Sequence, residues 1–132
     1  MNGKELIIVA CILGAAAIGL GAIGAHQVKP HLDPDQWQAY KTASQYHIIH
    51  ALLLLVAGIQ LKRNPKRKLI AVASYVIITG MFLFCFPMYT KIINENTWVM
   101  YLAPFGGVML MLGWIFTGIS LVNKVNEGNS KD

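Results

Sequence analysis

Charged residues divide this chain into four long uncharged stretches. Residues 6–25, 42–61, 69–90 and 98–122 contain no Asp, Glu, Lys or Arg, and each is twenty residues or longer. A helix rising about 1.5 Å per residue crosses a ~30 Å hydrocarbon core in that length. Within lipid the backbone must satisfy its own hydrogen bonds, so each stretch is read as a transmembrane helix. The pattern predicts an all-α fold, an integral membrane four-helix bundle in a single domain spanning residues 1–132. It ends in a disordered tail over 124–132.

Composition agrees. The chain has 132 residues, 55% hydrophobic and 13% charged, with a mean hydropathy of +0.51. A soluble domain carries about 25% charged residues, and a small domain buries the smallest share of its surface. A water-soluble enzyme, a disordered chain and a disulfide scaffold are excluded. The net charge of +5 invites a nucleic-acid reading, but the basic residues gather in one place. The segment KRNPKRK, residues 62–68, supplies Lys62, Arg63, Lys66, Arg67 and Lys68 between the second and third spans. With four spans, both termini share that side, giving it eight basic residues against three (Lys29, Lys41 and Lys91) on the other. Positive charge marks the cytoplasmic face. The segment is therefore a topology anchor, both termini are expected in the cytoplasm, and the membrane is read as a bacterial plasma membrane. Contact with anionic headgroups accompanies such an anchor; no nucleic-acid partner is expected.

The sequence IVAC at residues 8–11 resembles a lipoprotein cleavage box. Its apolar run before Cys11 is too short for a signal core, so the first span is read as retained. Cys11 and Cys85 lie at depths roughly 15 Å apart by helix rise. A disulfide needs Cα atoms within about 7 Å, so they are not expected to pair.

Small residues mark the packing faces. Ala10, Gly14, Ala17, Gly21 and Gly24 form one stripe on the first span, and Gly106, Gly113, Thr117 and Ser120 a partial counterpart on the fourth. Such stripes let membrane helices approach closely, within one bundle or between copies. Pro87 and Pro104 fall inside spans and predict kinks. Trp37, Tyr40, Tyr89, Trp98 and Tyr101 fall near the outer boundary, where an aromatic belt belongs, whereas Trp114 is deeper and reads as a packing residue. The longest outer loop, 26–41, contains LDPDQW. Asp33 suits an N-cap, Pro34 a first helical position and Gln36 the reciprocal capping-box position, so a helix is expected to start there.

All four histidines lie toward the outer side. His47 and His50 are three apart and share a helix face, and His26 ends the first span where it faces back toward His47. Ionisable groups at this depth are costly and are functional candidates. With Tyr46 and Trp37 they form the candidate ligand or lipid site. Neutral histidines bridging helices are one reading; a haem or metal site, proton sensing and headgroup contact are others. No Cys, Asp or Glu stands beside them at that depth, so neither a metal nor a cofactor is predicted.

Several blocks carry a resemblance: GAIGAH at 21–26, W-x-x-Y-x-T-A from Trp37 to Ala43, YHIIHALLLL at 46–55, APFGG at 103–107 and GW at 113–114. Together they resemble the YgdD/YwdK-like family of small multi-pass membrane proteins, the domain of unknown function four-two-three. The resemblance covers nearly the whole chain. It implies about four spans and no established activity. His26 and His50 match the family motif directly. FCFPMY at 84–89 departs from it, standing where the family has a block resembling FSGSLY. His47 falls where many members of the family it resembles carry Gln, which fits hydrogen bonding better than metal ligation.

Three classes of function follow. The first is a non-catalytic, lipid-contacting protein or an accessory subunit of a membrane complex. The second is an oligomeric transporter or channel, although no span holds an acidic or basic residue for ion coupling. The third uses the histidines, for a cofactor or, in an enzyme acting on lipid at the outer leaflet, as bases His26, His47 and His50 oriented by Asp33 or Asp35; no Ser or Cys nucleophile accompanies them. The first is the functional expectation, with membrane lipids, a homo-oligomer or a larger membrane complex as partners.

Overall fold

The computed structural model describes residues 1–91 and 98–123. Four helices long and apolar enough to cross a membrane account for nearly all of them. They are α1 (Gly3–Ile23), α2 (Pro34–Arg63), α3 (Lys68–Thr90) and α4 (Ala103–Val122). The proposed tail, with Lys124 and Lys131, lies outside the described residues.

Each helix start has a local cause. Asn2 caps α1, its side-chain oxygen accepting from the N–H groups of Lys4 and Glu5 at 3.0 Å, while Glu5 reaches back to the Asn2 N–H at 2.9 Å. At α2, Asp33 accepts from the Gln36 N–H at 2.8 Å and Gln36 returns the bond at 3.1 Å, with Pro34 in the first turn. This is the start that LDPDQW predicts. A capping box satisfies two otherwise orphaned donors.

Two regions differ from the sequence expectation. No long open loop follows the first span. The chain stays helical through a π-turn, Gly24–Val28, and a 3₁₀ turn, Lys29–His31, and only Leu32 and Asp33 separate it from α2. The second is Pro104, which lies within the fourth apolar span, Trp98–Val122, but not in the interior of its α-helix. A 3₁₀ segment, Trp98–Leu102, precedes it, and Pro104 falls in the first turn of α4, where its missing N–H has no helical partner to lose. Pro87, by contrast, is inside α3 and buried.

The helices form two antiparallel hairpins, α1 with α2 and α3 with α4, joined along α2 and α3. Glycines set the register. Gly3 meets the backbone of Lys62, Gly14 faces Ala51, and Gly21 faces Ser44. Eleven residues from Gly3 to Gly14 match eleven from Lys62 back to Ala51, and seven to Gly21 match seven back to Ser44. The second hairpin repeats the device. Gly113 packs on Ile77 and Gly106 on the backbone at Phe84, seven residues against seven. A seven-residue repeat between slightly inclined helices is the geometry of coiled-coil-like packing.

The core holds Leu6, Leu54, Ile70 and Ile77, with Ser74 and Thr117 buried beside them. Both hydroxyls donate back to the carbonyl four residues earlier, Ile70 and Gly113, at 2.8 Å. The outer surface of the helices is apolar too. Ile8, Ile12, Ile18, Phe82, Phe105 and Met111 are all more than half exposed, as befits helices solvated by hydrocarbon.

Candidate functional site

The two buried histidines of α2 serve different partners. His50 is 4% exposed and His47 8%. The Nδ1 of His50 lies 2.7 Å from the Tyr46 carbonyl, and its Nε2 lies 3.2 Å from the indole nitrogen of Trp114 on α4. A carbonyl can only accept and an indole N–H can only donate. The ring is therefore neutral, with the proton on Nδ1, and Nε2 accepts from Trp114. Both nitrogens are engaged. His50 thus ties α2 to α4 across α3, two helices that otherwise barely meet.

Aromatic rings surround this bond. Tyr46 stacks on Phe84 at a centroid distance of 4.7 Å and on His50 at 5.8 Å, and Trp114 meets the imidazole edge-on at 6.2 Å. Beside them a cleft of about 470 Å³ opens between α2 and α4, lined by Tyr46, His50, Phe84, Pro104, Gly107 and Trp114 among others. Its volume suits a small ligand or part of a lipid chain. Gly107 forms part of the wall, and a Cβ built there would sit 3.7 Å from the Phe84 ring.

His47 points elsewhere. Its Nδ1 lies 3.4 Å from the Tyr89 hydroxyl of α3. It lines a second cleft of about 260 Å³ between α1 and α3, with Leu20, Met81, Cys85 and Tyr89. The thiol of Cys85 is buried and donates to the Ala43 carbonyl at 3.6 Å, and Cys11 is exposed, so both cysteines are free.

His26 does not join either histidine. It is exposed, in the π-turn. The register of the first hairpin sets it level with the turn around Ala39, about 12 Å along α2 from His47. Tyr40, expected in a boundary belt of aromatics, is instead buried inside the first hairpin. Its ring fills the space that a side chain at Gly24 would need, and its hydroxyl donates to the Leu20 carbonyl at 2.6 Å. Trp37 stacks on Tyr40 at 6.1 Å, Lys29 Nζ lies 5.4 Å over the Trp37 ring, and Tyr89 meets Tyr40 edge-on at 5.1 Å. Trp37 therefore belongs to an aromatic cluster with Tyr40 and Tyr89, of which Tyr89 lines the His47 cleft, and not to the surroundings of His50. Trp98 and Tyr101 are mostly exposed.

Among the described residues no group of three or more His, Cys, Asp or Glu is placed to hold a metal. Trp114 and Tyr89 are the partners that sequence reasoning missed. Equal depth in facing helices was their signal, but the helix order around the bundle decides which depths meet.

Of the five basic residues in KRNPKRK, Arg67 is also structural: its guanidinium donates to the Ser120 carbonyl at the end of α4. Lys62, Arg63, Lys66 and Lys68 are exposed.

The family model for a protein of unknown function, DUF423, matches residues 20–107, which include both capped ends of the first connection, the two buried histidines and the start of α4. The chain belongs to the DUF423 family. Curated relatives carry the name UPF0382 membrane protein. The one called YwdK, from Bacillus subtilis strain 168, is 29% identical over 119 residues, covering 90% of this chain and 97% of the relative. A relative from Haemophilus influenzae is 26% identical over 115 residues, covering 87% and 90%. One from Staphylococcus aureus (strain bovine RF122 / ET3-1) is 26% identical over 112 residues, covering 85% and 90%. No solved structure matches the chain. Four apolar helices and bacterial relatives named as membrane proteins identify this DUF423 chain as an integral membrane protein, of a family whose activity is not assigned.

Proposed function

We propose that this protein is a non-catalytic, lipid-contacting component of the bacterial plasma membrane, with its basic end in the cytoplasm, and that the cleft beside His50 and Trp114 holds a lipid chain. The observation that carries this reading is the closed hydrogen bonding of His50. An imidazole that donates to Tyr46 and accepts from Trp114 has no lone pair left to act as a base or to ligate a metal. What it does is fix one wall of an apolar cleft. The cleft opens among membrane-spanning helices, where hydrocarbon chains are the surrounding solvent. The charge asymmetry of the connections supports the orientation.

The test is native mass spectrometry of the protein extracted from its own membranes in mild detergent, beside a Gly107→Leu variant whose side chain intrudes on the cleft. The expected result is a defined lipid mass on the wild type that Gly107→Leu loses while keeping its helical content. A chain with no adduct, or an adduct equally retained by the variant, overturns the proposal; an adduct-free oligomer does so in favour of a pore. Orientation is tested with a single cysteine at Lys66 in a variant lacking Cys11 and Cys85. A membrane-impermeant maleimide should label it only after the cells are permeabilised.

A further inference from the structure

A third cavity lies at the opposite end of the molecule, and its chemistry is different. It measures about 670 Å³ and is open to the outside where the start of α1, the end of α2 and the start of α3 converge. Three lysines line it, Lys4, Lys62 and Lys68, over apolar surface from Leu61 and Pro65. The described lining contains no carboxylate. Glu5 is the nearest acid in sequence, and it is turned away into the cap: its two oxygens accept from the backbone N–H and the side-chain amide of Asn2 at 2.9 and 2.8 Å.

These lysines are exposed, but each is placed by a helix. Lys62 is still inside α2, and its backbone is pressed against Gly3 so closely that any side chain at residue 3 would collide with it. Lys68 is the first residue of α3. Lys4 stands in the first turn of α1, held by the Asn2 cap. Three cations from three helices therefore converge on one concavity with an apolar floor. That combination fits an amphiphile with an anionic head.

We propose that this cavity binds the phosphate of an anionic phospholipid headgroup, with the lipid's glycerol against Leu61 and Pro65. A basic pocket between transmembrane helices is suited to such a headgroup. The site is twelve residues beyond His50 along α2, about 18 Å away, and does not depend on the cleft described above.

The experiment compares two double variants of the same loop that remove equal charge. Lys62→Gln with Lys68→Gln alters the cavity lining; Arg63→Gln with Lys66→Gln alters exposed neighbours outside it. The full chain in neutral detergent is titrated with short-chain phosphatidylglycerol and followed by native mass spectrometry. At about fivefold per lysine near a headgroup, the cavity double should bind about thirtyfold more weakly. The neighbouring double should change less than about twofold. Lys62→Arg with Lys68→Arg should restore binding, which separates a binding loss from a folding loss. Equal weakening in both glutamine doubles overturns the site in favour of diffuse surface charge. Absence of binding to the wild type overturns it outright. Displacement of the lipid by an equal concentration of inorganic phosphate overturns the lipid as occupant and assigns a soluble phosphate.

Discussion

The indole N–H of Trp114 donates to Nε2 of His50 over 3.2 Å, joining residues 64 positions apart in the chain. The bond spans α2 and α4, which are not neighbours in the packing. It also fixes the tautomer, because the other ring nitrogen already faces the Tyr46 carbonyl. A polar group at membrane depth is thereby made into a tie between hairpins.

The strength of that tie is measurable. Trp114→Phe removes the donor and keeps the ring; His50→Leu removes the acceptor. A double-mutant cycle in reversible unfolding by denaturing detergent should give a coupling of about 0.6–1.7 kcal/mol, the range for side-chain hydrogen bonds between membrane helices. Coupling near zero means that the two rings only touch.

The glycines make a sharper contrast. A Cβ at Gly106 would lie 2.5 Å from the Phe84 backbone nitrogen and 2.9 Å from the Gly80 carbonyl oxygen, neither of which can rotate away. Gly106→Ala must push α4 off α3, and a loss of about 1–3 kcal/mol is expected from overpacking. At Gly19 and Gly118 an added Cβ meets nothing within 4 Å. Alanine there should change stability by less than about 0.5 kcal/mol. Thermal denaturation of the three variants in one detergent distinguishes them.

Much of this was legible in the sequence, and the limit has a physical origin. Four charge-free stretches announced the helices, and LDPDQW announced the start of α2, because both are local properties of the chain. The small residues marked packing faces for the same reason. Partner identity is not local. His26 and His47 looked compatible because both lie toward one end of antiparallel spans, yet the register set by Gly14, Gly21 and Gly24 separates them. Trp114 and Tyr89 became partners of the histidines only once the order α1–α2–α3–α4 was known. Pro104 was read as kinking its helix because hydropathy does not distinguish a 3₁₀ turn from the α-helix that follows it.

Arg67 illustrates the same limit and yields a prediction. In the sequence it is one of five equivalent basic residues; in the structure its guanidinium reaches the Ser120 carbonyl in the last turn of α4. A cation at a helix C-terminus satisfies an orphan carbonyl and opposes the helix dipole. Arg67→Gln should destabilise the fold by about 0.3–1 kcal/mol. Arg63→Gln, which removes the same charge from an exposed position, should leave unfolding within about 0.5 kcal/mol of wild type. If both variants behave alike, Arg67 acts only through net charge.

Tyr40 allows the first hairpin to be tested in the same way. Its side chain is 3% exposed, and its hydroxyl donates to the Leu20 carbonyl at 2.6 Å. Its ring occupies the space left by Gly24, just where α1 gives way to the π-turn. Tyr40→Phe keeps the ring and deletes the hydrogen bond, so the expected loss is about 1 kcal/mol, with the hairpin otherwise intact. Gly24→Ala keeps the bond's partners but drives a methyl group into the ring, so it should cost more and disturb the turn. Backbone amide exchange over residues 20–29 reads the difference. Tyr40→Phe should raise exchange modestly near Leu20, whereas Gly24→Ala should raise it across the whole turn. Equal, unchanged protection in both variants would show that the π-turn is held by the connection to α2 and not by Tyr40.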